Sequence, residues 1–151
     1  MKAIAKLKEK GVKYRLIELS DRAVSVDDVV KFSKGELKRD EICKTLIVKD
    51  SEGKRYAIFL LGDAKIDFSK VKDLVGKKVS LASFDEVKEE TGVEPGAVCP
   101  LVLNIPIFAD KRVFEKKNIN FGSGDQLFGI EVASKDLDKV IEFKVVDVAQ
   151  D

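Results

Sequence analysis

Residues 91–100, Thr91-Gly92-Val93-Glu94-Pro95-Gly96-Ala97-Val98-Cys99-Pro100, lead into the apolar run Ile107-Phe108-Ala109. Glycine lets backbone N–H groups come close to a ligand, and proline stiffens the loop that carries them. A rigid loop of bare amides suits a carbonyl, carboxylate or ester oxygen. The chain contains no histidine. Chemistry at this loop must therefore run without the most common general base.

Lys44 is the leading side-chain candidate. In Cys43-Lys44-Thr45-Leu46-Ile47-Val48-Lys49 the alternation of a strand puts Lys44 on one face with Leu46 and Val48. A lysine among apolar neighbours points into a core or a cleft, or snorkels outward. Its bland alternative is an edge-strand charge that blocks aggregation. Phe121-Gly122-Ser123-Gly124 is either a tight turn or bulge, or a place where Ser123 bonds a ligand or positions water. With no base partner, Ser123 is not expected to be an activated nucleophile. Cys99 lies in the Gly/Pro loop, but nothing in the sequence lowers its pKa, so pocket lining is expected rather than thiolate or redox chemistry. Asp63, Asp110 and Asp136 are the acidic candidates. Asp136 falls in a helical first turn, which favours a carboxylate for structural reasons alone.

The elements that position these residues can be read from capping and periodicity. A short helix over the first eleven residues carries Ala3, Ile4 and Leu7 on one face and ends at Gly11. Residues 13–19 are extended. Ser25 caps a second helix with Gly35 at its C′ position. Residues 43–49 and 56–61 flank Asp50-Ser51-Glu52-Gly53-Lys54 as a β-hairpin. Ser69 begins a short helix closed by Gly76, and residues 78–82 are extended. Ser83 and Glu86 form a capping box for a helix to about Glu90, with Gly92 as its possible C-cap. Strands are expected at 106–109, 118–122, 127–133 and 143–148, and Ser134 caps a short helix through Val140. Such mixing indicates an α+β (mixed α/β) fold: one domain over 1–151, with a mixed, mostly antiparallel sheet flanked by short helices.

Composition narrows the function classes. The 151 residues suffice for a sizeable core. The 28 basic and 27 acidic residues leave a net charge of +1, which argues against a sequence-blind nucleic-acid binder but not against a local basic patch. Lys31, Lys34, Lys38, Arg39 and Lys44 form either such a patch or an ordinary solvated surface. No apolar run approaches ~18 residues, and the charged start has no signal-peptide core, so a cytoplasmic location without membrane association is expected. Two distant cysteines, Cys43 and Cys99, make no zinc motif. No metal or other cofactor is expected.

Three segments together resemble the YbaK/ProX-type aminoacyl-tRNA deacylases, relatives of the editing insertion of bacterial prolyl-tRNA synthetases. They are Lys44-Thr45-Leu46-Ile47-Val48, the Thr91–Pro100 loop behind its helix, and Phe121-Gly122-Ser123-Gly124 with Ser134-Lys135-Asp136-Leu137. The resemblance spans roughly residues 25–140. It implies hydrolysis of the ester joining a wrong amino acid to the 3′ end of a transfer RNA, in trans and of the proline type. It also implies that Lys44 anchors the terminal nucleotide and that amides around Gly96 polarise the ester carbonyl. Substrate contacts would come from Thr45, Gly92, Val98, Cys99 and Pro100, and from Ser123, Gly124 and Asp136. The implied partner is the acceptor 3′ end of aminoacyl-tRNA, with prolyl-tRNA synthetase as a candidate second partner. Ala97 and Val102 stand where the family loop commonly has glycine, so a bulkier or stiffer pocket is expected. The rival reading is a non-catalytic module of the same fold that binds aminoacyl-tRNA or a small ligand.

Overall fold

The computed structural model describes residues 1–151. Its centre is the hairpin of β2 (Cys43–Asp50) and β3 (Arg55–Leu61), antiparallel with Lys44 opposite Leu60. The turn between them needs Gly53 at φ 86°. Asp50 fixes it by accepting the Glu52 and Lys54 N–H groups and the Tyr56 hydroxyl. β4 (Val79–Leu81) pairs antiparallel with the end of β2, and β5 (Ile107–Asp110) runs parallel to β3. β8 (Lys144–Val146) lies parallel to β5, giving the order β4-β2-β3-β5-β8.

A second, three-stranded sheet is antiparallel throughout, with β7 (Phe128–Ala133) between β1 (Arg15–Glu18) and β6 (Asn118–Gly122). The α+β class expected from the sequence holds, and most strand pairs are antiparallel. The strands form two sheets, however, rather than one. β4 already occupies the free edge of β2 at Val48–Asp50. Only the start of that edge is left, where Ile42 bridges Asn120 of β6.

Four helices cover these sheets: α1 (Lys2–Glu9), α2 (Val26–Phe32), α3 (Phe68–Val75) and α4 (Phe84–Thr91). Ser25 accepts the Asp28 N–H, and Ser83 and Glu86 complete the capping box of α4. Gly76 and Gly92 close α3 and α4 in the left-handed conformation. Three expected helix boundaries differ. α2 ends on an extended Ser33, so Gly35 is not at C′. α3 begins at Phe68, one residue ahead of Ser69, because the Asp67 carboxylate caps it by accepting the Ser69 and Lys70 N–H groups. Ser134 opens a six-residue 3-10 segment without capping it, because its hydroxyl donates to the Lys116 and Lys117 carbonyls. β8 is also shorter than the expected 143–148 strand.

The main core joins one face of the large sheet (Ile47, Ala57, Phe59, Ala109) to the small sheet (Ile119, Phe121, Ile130, Val132). Phe59 and Phe121 meet edge to face, with ring centroids 5.8 Å apart. A second cluster packs Val71 of α3 on the opposite face, against Val48, Ile58 and Leu60. A third and smaller one, Ile17, Leu19 and Ala23 with Val29 and Phe32, lies under α2. α2 has no fully buried residue, so the wall it forms is thin.

Candidate functional site

Between the third cluster and the start of β2 lies a cavity of about 190 Å³. That is below the roughly 300–1,000 Å³ of ordinary small-molecule sites, so it suits a small group. Its rim is exposed at Val24, Ser25, Pro95, Gly96 and Asp125, and its depth is lined by buried Ile42, Cys43, Thr45, Val98, Asn120 and Phe121. Lys44 belongs to the same wall.

The glycines of this region let backbones pack closely. A Cβ on Gly96 would lie 2.7 Å from Val24 Cα, and one on Gly122 would lie 2.9 Å from the Val98 carbonyl oxygen. The 95–98 loop is thereby held between the Ala23–Val24 backbone and the end of β6. Gly96 sits in the short 3-10 turn Pro95–Ala97. Pro95 has no N–H and the Ala97 N–H is bonded to the Glu94 carbonyl at 2.9 Å, which leaves the Gly96 N–H as the one without an acceptor in the turn. Outside the loop, Glu94 accepts from both Arg22 and Gln126 at 3.0 Å, tying three rim segments together.

Lys44 is half-buried, and its Nζ donates to the Ala64 carbonyl at 2.6 Å. Desolvation holds its pKa below the ordinary lysine value, against the opposing attraction of Asp63. Asp63 itself takes a bidentate pair from Arg39, which also reaches Asp27. Lys34 pairs with Glu18. Much of the expected basic track is therefore already neutralised by neighbouring acids, while Lys44 spends its charge on a neutral carbonyl.

Two polar atoms in this region have no partner. Thr45 Oγ1 and Asn120 Nδ2 are buried and make no hydrogen bond, although both residues line the cavity. A buried, unpaired polar group costs about 1–3 kcal/mol. Asn120 was not among the sequence candidates. Its only signal there is a carboxamide set between Ile119 and Phe121 in a strand.

Of the ten site residues that the resemblance implies, the cavity gathers Lys44, Thr45, Gly96 and Val98, and the acidic candidates Asp63 and Asp110 are not in its lining. The other six of the ten also lie outside it. Gly92 serves as the C-cap of α4. Cys99 and Pro100 are buried beside the loop, Cys99 within the main core, where desolvation pushes its thiol up to about 12. A thiol held protonated in this way is no nucleophile. Ser123 closes a turn by donating to the Phe128 carbonyl at 2.6 Å and accepting the Asp125 N–H. The Gly124 N–H is committed to the Ala97 carbonyl at 2.9 Å, so it cannot serve an oxyanion. Asp136 pairs with Lys139 at 2.8 Å. Ala97 and Val102 are also absent from the lining, so their side chains add no bulk to it.

The structure contains no cluster of three histidine, cysteine, aspartate or glutamate side chains able to hold a metal. No helix is long and apolar enough to cross a membrane. Besides Lys44, the titratable residues of the lining are Cys43, which burial keeps as a thiol, and Asp125 at the rim. The arrangement offers a cation, the Gly96 amide and a small apolar chamber whose lining includes two residues with unused polar groups.

Comparison with known proteins adds an independent line. The aminoacyl-tRNA editing domain matches residues 22–140. Proline–tRNA ligase of Caldicellulosiruptor saccharolyticus is 29% identical over 120 residues, covering 79% of this chain and 20% of the ligase. The chain thus spans about a fifth of that enzyme's length. The solved structure of the hypothetical protein APE2540 has a TM-score of 0.87 at 30% identity, over 99% of this chain and 100% of that one. A candidate trans-editing enzyme for prolyl tRNA synthetase has the same fold, with a TM-score of 0.84 at 21% identity over 99% and 96% of the two chains.

Proposed function

The chain belongs to the aminoacyl-tRNA editing domain family, and from that premise we propose that residues 1–151 form one trans-editing unit that hydrolyses mischarged aminoacyl-tRNA, with tRNA-Pro as the expected carrier. The observation that carries this reading is the convergence of Lys44, Gly96 and Thr45 on one small chamber within the matched region.

The 3′-terminal nucleotide rests at the rim, with the Lys44 ammonium as a point charge for its ribose or phosphate oxygens. That role requires Lys44 to exchange its bond to Ala64 for one to the RNA, or to use its remaining N–H groups. The aminoacyl group enters the chamber, and the ester carbonyl meets the N–H of Gly96. Water attacks the carbonyl carbon, and the bond from that carbon to the ribose oxygen breaks. The water's proton ends on the departing ribose oxygen. The products are a free amino acid and a tRNA with its terminal hydroxyl restored. An aminoacyl ester is intrinsically reactive, so orientation and oxyanion stabilisation can supply much of the acceleration without a histidine.

The test is deacylation of tRNA charged with alanine, serine, cysteine or proline, by wild type and Lys44→Ala. Loss of one mischarged species, sparing Pro-tRNA and slowed in the variant, is the expected result. Survival of every ester at the rate of buffer alone would remove the hydrolase reading. Tight binding of the same RNAs without turnover would then identify a binding module.

A further inference from the structure

We infer that Thr45 and Asn120 form the polar floor of this chamber and select an aminoacyl group bearing a small side-chain hydroxyl, seryl above all, over alanyl. The inference rests on the editing reading of the cavity, and it names the substrate class of that site.

Depth orders the chamber. Gly96, Val24 and Asp125 are exposed at the rim, whereas Thr45 and Asn120 are only 6% and 2% exposed. An ester whose carbonyl meets the turn at Gly96 therefore sends its side chain inward. The bridge between Ile42 and Asn120 ties β6 to the chain just ahead of β2, so both floor residues belong to the junction of the two sheets.

The floor is chemically particular. Its apolar surroundings, Ile17, Leu19, Ile42 and Phe121, would accept any small alkyl group. Within them stand a hydroxyl and a carboxamide N–H with no partner. Buried polar groups in folded proteins are nearly always bonded, and two such orphans on residues that line one chamber point to a missing ligand atom. A side-chain hydroxyl is donor and acceptor at once: it can accept from Asn120 Nδ2 and donate to Thr45 Oγ1. An alanyl methyl leaves both unsatisfied. A cysteinyl thiol matches the shape but bonds weakly. Sites built around a substrate hydroxyl reject the analogue that lacks it far more strongly than apolar pockets reject a missing methylene.

The test compares single-turnover deacylation of seryl-, cysteinyl- and alanyl-tRNA by wild type, Thr45→Val and Asn120→Leu. Thr45→Val keeps the side-chain shape and removes only the hydroxyl. Wild type is expected to favour seryl over alanyl by at least roughly tenfold, with cysteinyl between. Each substitution should bring the seryl rate down toward the alanyl rate, and thermal melting of both variants controls for folding. Cleavage of alanyl as fast as seryl, with a ratio that neither substitution moves, would overturn the inference and leave the hydrolase intact. Should wild type cleave no ester, the hydrolase reading falls. Binding of adenosine carrying seryl or alanyl through a 3′-amide then decides the inference. Tighter seryl binding, lost in Thr45→Val, supports it, and equal binding of the two refutes it.

Discussion

Two buried polar regions of this protein are built on opposite terms. At the end of β5, the fully buried Asp110 carboxylate accepts the Val148, Ala149 and Arg112 N–H groups and the Arg112 guanidinium. Arg112 continues outward to Asp147 and Asp151, where Lys70 joins it. At the start of β2, Thr45 Oγ1 and Asn120 Nδ2 are as deeply enclosed and bond nothing. The first region is closed upon itself and ties the C-terminal segment to the sheet. The second leaves hydrogen bonds unmade beside a cavity. Polar burial alone therefore says little about function, whereas unmet polar burial next to a chamber is informative.

The sharpest contrast comes from removing each group. Asp110→Ala strips partners from three amides and a guanidinium, and should cost about 3 kcal/mol. A melting temperature lower by roughly 10 °C would be read by calorimetry. Binding of an aminoacyl-adenosine analogue below the melting temperature should not change.

Lys44→Ala should do the reverse. Turnover falls about 100-fold, equivalent to ~2.7 kcal/mol of transition-state stabilisation, while melting moves little. The pH dependence follows from desolvation, which makes Lys44 give up its proton more readily than a surface lysine. Binding that needs the ammonium should weaken as pH rises, at values below the ordinary 10.5. Lys44→Arg should carry the alkaline loss to higher pH, because guanidinium stays protonated. Native Lys44 holds its proton less tightly than the unfolded chain does. Its contribution to stability therefore increases with pH through that window.

Gly96→Ala tests the loop between the two extremes. Its Cβ would meet Val24 Cα at 2.7 Å, a backbone atom that cannot rotate away. A cost of about 1–2 kcal/mol and a raised KM are expected. The smallest effect belongs to Thr45→Val, because a hydroxyl without partners contributes no bond to lose. Chemical denaturation should show stability unchanged within about 0.5 kcal/mol, or higher than wild type. A loss as large as that of Asp110→Ala would mean that Thr45 is bonded after all, and the contrast would collapse.

The sequence made the local devices legible and the long-range ones obscure. The Ser83–Glu86 capping box, the Gly76 and Gly92 stops and the β2–β3 hairpin each depend on residues close in the chain, and they stand where spacing puts them. The division into two sheets depends on which edge of β2 is already taken, a fact of distant pairing. The same split runs through the site. Lys44 and Gly96 are visible as a strand lysine and a loop glycine, whereas the Gly124 N–H turns out to be occupied by Ala97, and Ser123 by its own turn. Asn120 escapes notice because an asparagine in a strand has no meaning until its lack of partners is seen.

The most direct test of the account is a crystal structure with adenosine carrying serine through a 3′-amide. The expected result places the seryl side chain within about 3.2 Å of Asn120 and Thr45, with the amide carbonyl at Gly96 and the ribose beside Lys44. Density for the analogue outside this chamber, or with its side chain turned out to the rim, would contradict it.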